Sequence, residues 1–325
     1  MSDKWSALLH GKPSLINDED WAVGELKLDD FPESIEDEAV GSSEVQKGRL
    51  VFLNMVGLTI ILSNILQRLL CVRFQHTLDR TEEKTVTLLT RLKELQISLK
   101  DWFVNLPELL KMDSVASMKL SSVGYLRLAY LTVETSIHRL IVRTISQTEA
   151  TDDTLVRVCR AAASERFNNA VDFIQRLQAS HLASFWYFTS AQCCVLIYHF
   201  GRLLARTSTL PEARADFERK LTEYTWTLKV NGEAGTTFMK HALSMIDSSS
   251  RIHSLPVNSQ SLTDLGTSPS TSHSAPGASF EDGDASTNDM DQPSVDSATA
   301  MAIDEWDASM TVHVYEWGPQ ADVLS

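Results

Sequence analysis

Residues 252–325 contain no lysine or arginine, yet they hold twelve acidic side chains. The rest of the chain is uneven too. Residues 1–44 carry twelve acidic and three basic side chains, whereas residues 45–251 carry nineteen acidic and twenty-six basic. The total of −14 argues against non-specific nucleic-acid binding by the chain as a whole. Cysteine is scarce: Cys71, Cys159, Cys193 and Cys194 are the four, and none forms a C-x-x-C pair. That spacing excludes a disulfide framework and a thiolate-based zinc reader, and it fits reduced intracellular thiols. No run of Lys and Arg marks a basic arm. Met1 to Asp20 has neither the basic start nor the apolar block of a secretory leader.

Catalytic signatures are absent as well. None of the nine histidines sits in an H-E-x-x-H, and there is no G-x-S-x-G or G-x-G-x-x-G. His138, His181 and His199 fall in apolar helical stretches and read as hydrogen-bonded core or rim residues. The "HGKPSL" stretch has a Gly-Lys pair but lacks the first Walker glycine, and Pro13 stands where Ser or Thr is required. "DDFPE" offers Asp29, Asp30 and Glu33, the carboxylate set of a magnesium-dependent α-helical lyase. Pro32 removes a backbone donor inside it, so a solvated acidic loop is the better reading. Two long uncharged runs, Leu50–Gln67 and Leu177–Gly201, are interrupted by Asn, Gln, Ser or His, as core helices of a large α-domain are.

What is present is helical periodicity. Leu88, Leu92, Leu95, Leu99, Trp102 and Leu106 step by four and three, which sets them on one stripe that Pro107 ends. Leu126, Tyr130, Val133, Ile137 and Leu140 form a second stripe. A third begins after the capping residues Asp152-Asp153-Thr154 and carries Leu155, Cys159, Ala162, Ala170, Ile174 and Leu177. "SFWYFTSAQCCVLIYHFGRLLA" is apolar on most faces and predicts a central helix. Pro211 suits the first turn of the next, whose inner face is Phe217, Leu221, Tyr224 and Leu228. A short last helix is expected over 236–246. No strand alternation with hairpin turns occurs. The fold class is all-α, with about seven to nine helices.

Three segments are expected: 1–44 as the acidic, loop-rich N-terminal part of the domain, 45–250 as its helical body, and a disordered acidic tail over 251–325. The tail is rich in Ser, Thr, Asp, Gly and Pro and cannot bury enough apolar surface to offset its ordering entropy. Its end, "MAIDEWDASMTVHVYEWGPQ", alternates acidic residues with aromatics. Trp306, Tyr315 and Trp317 make it a candidate activation segment, or a tail that docks on its own domain.

The chain resembles the regulatory middle region of fungal binuclear zinc-cluster transcription factors, the fungal-specific transcription factor domain. The match runs through Trp5, the Gly11-Lys12-Pro13 turn, Ile16, Asp18-Glu19-Asp20 and Val23. It continues in "LKELQISLKDWFVNLPELL", "YLRLAYLTVETSIHRLIVR" and "VCRAAASERF", over about residues 3 to 250. Lys12 replaces the usual Arg, and Gly24 stands where Pro often follows. The resemblance implies a nuclear transcription regulator that is not an enzyme. Its partners would be the transcription machinery or co-regulator proteins, with homodimerisation also open and no membrane. The family's six-cysteine zinc cluster is absent from this chain, so no cofactor is expected and DNA contact would be indirect. On this resemblance the chain is N-terminally truncated, and a fragment without independent activity is the alternative.

Overall fold

The computed structural model describes residues 1–20, 22–31, 42–112, 122–148 and 152–254. Residues 32–41 of the expected acidic, loop-rich part and the tail from 255 onward lie outside them. Among the described residues there are ten α-helices and no strand. In chain order these are α1 (Ser2–His10), α2 (Ser42–Arg68), α3 (Val72–Arg80), α4 (Lys84–Val104), α5 (Val123–Ile145), α6 (Asp153–Gln175), α7 (Ala179–Leu182), α8 (Ser190–Thr207), α9 (Pro211–Glu233) and α10 (Thr237–Ser254).

The predicted stripes are the packed faces. Leu88, Leu92, Leu95, Leu99 and Leu106 are all buried, and α4 stops at Val104, just before Pro107. Asp152 accepts a hydrogen bond from the Thr154 amide at 3.0 Å and caps α6. Pro211 opens α9, and Phe217, Leu221, Tyr224 and Leu228 face inward. At the centre lies α5, in which Arg127, Arg139 and Arg143 are the only residues not buried. It packs against α4, α6 and α8, while α8, α9 and α10 close the far side.

Two departures have physical causes. α8 begins at Ser190 rather than at Ser184, so "SFWYF" is not helical. Its aromatics instead wedge between elements. Trp186 stacks on Phe238 of α10 at 4.2 Å, Phe185 meets Tyr125 edge-on at 5.6 Å, and Tyr187 reaches Ser2 of α1 at 3.0 Å. A run that is apolar on every side has no face to favour a helix over such wedging. The last helix is also longer than expected, reaching Ser254.

Among the described residues one helix, α2, is long and apolar enough over Val45–Arg68 to cross a membrane, and 39% of its most apolar 18-residue window is buried in the bundle. Val51, Met55, Leu58, Leu62 and Ile65 form its packed stripe against α1 and α4, while Phe52 and Ile60 face outward.

Candidate functional site

The motif that opens the chain folds as a clamp. α1 ends at Gly11, whose φ of 61° is the left-handed conformation that closes a helix. The Lys12 amide then bonds back to the Ala7 carbonyl at 3.1 Å. Asp3, in the first turn of α1, holds the returning chain. Its carboxylate accepts from Ser14 Oγ at 2.5 Å, the Leu15 amide at 3.0 Å and the Ile16 amide at 3.3 Å. Desolvation works to raise the Asp3 pKa, but these donors and the charge of Lys4 outweigh it and hold the carboxyl below the usual range.

Lys4 is buried with its charge satisfied. Nζ donates to the Ile16 carbonyl at 2.6 Å and lies 3.0 Å from Asp18 Oδ1. Asp18 also accepts from Ser63 and Gln67 of α2, which keeps its carboxyl ionised against partial desolvation. Trp5 is fully buried and donates from Nε1 to Thr59 Oγ1 of α2 at 3.0 Å. The structure thus brings Trp5, Gly11, Ile16 and Asp18 into one lock between α1 and α2, with Lys12, Pro13 and Asp20 exposed around it. Trp306, Tyr315 and Trp317 lie outside the described residues.

Deeper in the bundle is a second constellation, which no motif announced. Trp102 and Phe103 end α4, and both rings stack on Tyr130 of α5, at 5.9 and 4.7 Å between centroids. The Arg127 guanidinium lies 4.7 Å from the Phe103 ring centre and 5.1 Å from that of Tyr130. Tyr130 Oη donates to Glu134 Oε1 at 3.2 Å, and Arg166 Nε of α6 pairs with the same oxygen at 3.3 Å. His138 continues the row. Burial and the Arg166 charge push its pKa down to about 3, so the imidazole is neutral. Burial also raises the Tyr130 pKa, as do the charge and hydrogen bond of Glu134.

Residues 127, 130, 134 and 138 share one face of α5 at helical spacing, and that polar stripe was readable in the sequence. Its partner Arg166 was not, because it sits 32 residues beyond Glu134 and only packing joins them. The three helical segments that carried the resemblance meet here: α4 through Trp102 and Phe103, α5 through Tyr130 and Glu134, α6 through Arg166.

Chemically, this seam is an internal brace. The pocket at its outer end, lined by Trp102, Phe103, Arg127 and Tyr130 among others, holds about 260 Å³ counting the solvent at its mouth. Ligand clefts are usually larger, about 300–1,000 Å³. Asp29 and Asp30 lie in a single 3-10 turn, and Asp30 is engaged with the Lys27 amide at 2.7 Å. Carboxylates on successive turns of a cavity-lining helix, as a lyase needs, are therefore not formed there. Among the described residues no three His, Cys, Asp or Glu side chains gather as a metal site. The cysteines do not fit a zinc cluster. Burial pushes the Cys159 thiol up to about 12 and Cys193 to about 11, with Cys194 raised further, which disfavours the thiolate that zinc requires.

The family described as "Fungal specific transcription factor domain" matches residues 1–104, which include the α1–α2 lock and end at the last residue of α4. A relative, "Transcriptional activator protein DAL81" of Saccharomyces cerevisiae (strain ATCC 204508 / S288c), is 31% identical over 268 residues, 72% of this chain and 27% of the relative. The chain therefore spans about a quarter of that relative's length. No solved structure matches. Through residues 1–104, the chain belongs to the fungal specific transcription factor domain family.

Proposed function

We propose that this chain is the regulatory module of a nuclear transcription regulator of the zinc-cluster type. It acts through protein contacts or effector sensing and not by catalysis, and its partners are the transcription machinery or co-regulators. The observation that supports this most is the family match over 1–104 together with a relative named as a transcriptional activator. The braced, all-helical bundle suits a scaffold that presents surfaces. Any contact with DNA runs through another polypeptide segment that carries the zinc cluster.

The acidic end of the chain, with Trp306, Tyr315 and Trp317, is the activating part. Residues 252–325 fused to a heterologous DNA-binding domain are expected to drive a reporter. Replacing the three aromatics with alanine should reduce that output at least several-fold. A silent fusion with the aromatics intact would overturn the assignment of the tail.

A further inference from the structure

At one end of the bundle, arginines collect without carboxylate partners. Arg139 and Arg143 lie one turn apart on the outward side of α5, close enough to oppose each other's charge. Ser146, next on that side, accepts from Arg160 Nη2 at 3.4 Å, and Arg160 Nη1 donates to Thr207 Oγ1 at 3.2 Å. Arg206 precedes Thr207 at the end of α8, and Arg214 of α9 donates to the Ser208 carbonyl at 3.2 Å. These contacts gather the ends of α5, α6, α8 and α9 into one surface with five guanidinium groups. None of the five pairs with a carboxylate of the described residues, whereas Arg68, Arg176 and Arg219 elsewhere do.

Helix dipoles account for part of this. Arg143 and Arg206 occupy last turns, where cations are favoured. Arg214 is held in the same way by the Ser208 carbonyl at the C-cap of α8, whereas Arg139 and Arg160 have no such reason. Asp152 caps α6, and Asp153 and Glu212 sit in first turns, where the helix dipole favours anions.

We propose that this arginine face docks the acidic stretch 281–307 of the same chain. That stretch holds nine carboxylates and no Lys or Arg. Its geometry permits the contact. By composition alone, a Ser/Thr/Gly-rich segment of roughly 30–50 residues beyond Ser254 can span about 30–40 Å, comparable with the breadth of a domain of this size. Docking of this kind would occupy carboxylates that a partner protein also needs. The inference stands apart from the transcription reading, because it concerns charge and reach only.

The test uses the full chain. Spin labels go on Thr209→Cys, exposed beside the arginine face, and on Met290→Cys, in a Cys71→Ser background that leaves only the three buried cysteines. Pulsed dipolar spectroscopy in low salt is expected to show a narrow population well under about 40 Å. The triple variant Arg139→Gln, Arg143→Gln, Arg206→Gln should remove at least half of it. So should about 0.5 M salt, where the screening length falls to roughly 4 Å. The variant Asp282→Asn, Asp284→Asn, Asp289→Asn, Asp291→Asn leaves the bundle untouched and should also lose the population. A broad distribution in the parent chain, or a narrow one indifferent to these changes, would overturn the proposal. So would arginine-dependent binding of a DNA duplex by a parent chain whose distance distribution is broad, since the face would then serve phosphates.

Discussion

Trp5 fills the interior between α1 and α2 and also spends its one donor on Thr59, so its two roles separate by substitution. Trp5→Phe keeps most of the bulk and should cost about 1–2 kcal/mol, while Trp5→Ala should cost about 3–5 kcal/mol in chemical denaturation. The Glu134–Arg166 pair predicts a different pattern. Glu134→Leu leaves the buried Arg166 guanidinium only its longer contact with Glu165, at 3.6 Å, and should cost about 2–4 kcal/mol, whereas adding Arg166→Met should restore most of the loss. His138 sets a pH dependence. The unfolded residue takes up a proton near pH 6.5 and the folded one near 3, so falling pH favours the unfolded chain within that interval. Stability is complete above about pH 6.5 and should fall by about 2 kcal/mol at pH 5 through this group. His181, lowered by burial and then by Lys47, adds to the same interval, so the difference between parent and His138→Gln isolates the effect. Urea midpoints at pH 7 and pH 5 measure it, and a parent no more pH-sensitive than the variant would refute it. Single residues were the least legible scale. Asp18 stood out in the sequence only as part of a motif and Lys4 not at all, because nothing in the order of residues says that Ser63 and Gln67 will meet Asp18 beside Lys4.

Helices were more legible wherever polarity changed along the chain. The α4 stripe, the Asp152 cap and the Pro107 and Pro211 boundaries follow from spacing and backbone chemistry alone. Legibility failed where composition was uniform. The SFWYF stretch runs four aromatics together with no polar/apolar alternation to mark a face, and its neighbours on α1, α5 and α10 decide that it wedges. Gly201 shows the same dependence on neighbours. A β-carbon there would fall 2.5 Å from the Phe167 ring of α6 and 2.9 Å from Leu221 of α9. Alanine is the better helix former by about 1 kcal/mol, yet overpacking costs about 1–3 kcal/mol or more. Gly201→Ala is therefore expected to lower the thermal midpoint, and an unchanged or higher midpoint would show that α8 can shift away from Phe167.

One hydrophobic core runs from Trp5 on α1 to Ile246 on α10, with no break between the acid-rich start and the helical remainder. The change of composition near residue 44 lies within this core, and packing crosses it. Far-ultraviolet and near-ultraviolet circular dichroism are expected to follow one coincident unfolding transition. Two separated transitions would make residues 1–44 an independent unit. The interior also contains its own clock. Cys159 lies on α6, and Cys193 and Cys194 lie side by side on α8, all three out of reach of solvent. A thiol reagent can modify them only when the bundle opens, so their labelling rates count opening events in the unaltered protein. Equal rates at Cys159 and Cys194 would mean that α6 and α8 part company with the core together, whereas a faster Cys194 would identify α8 as the first element to leave.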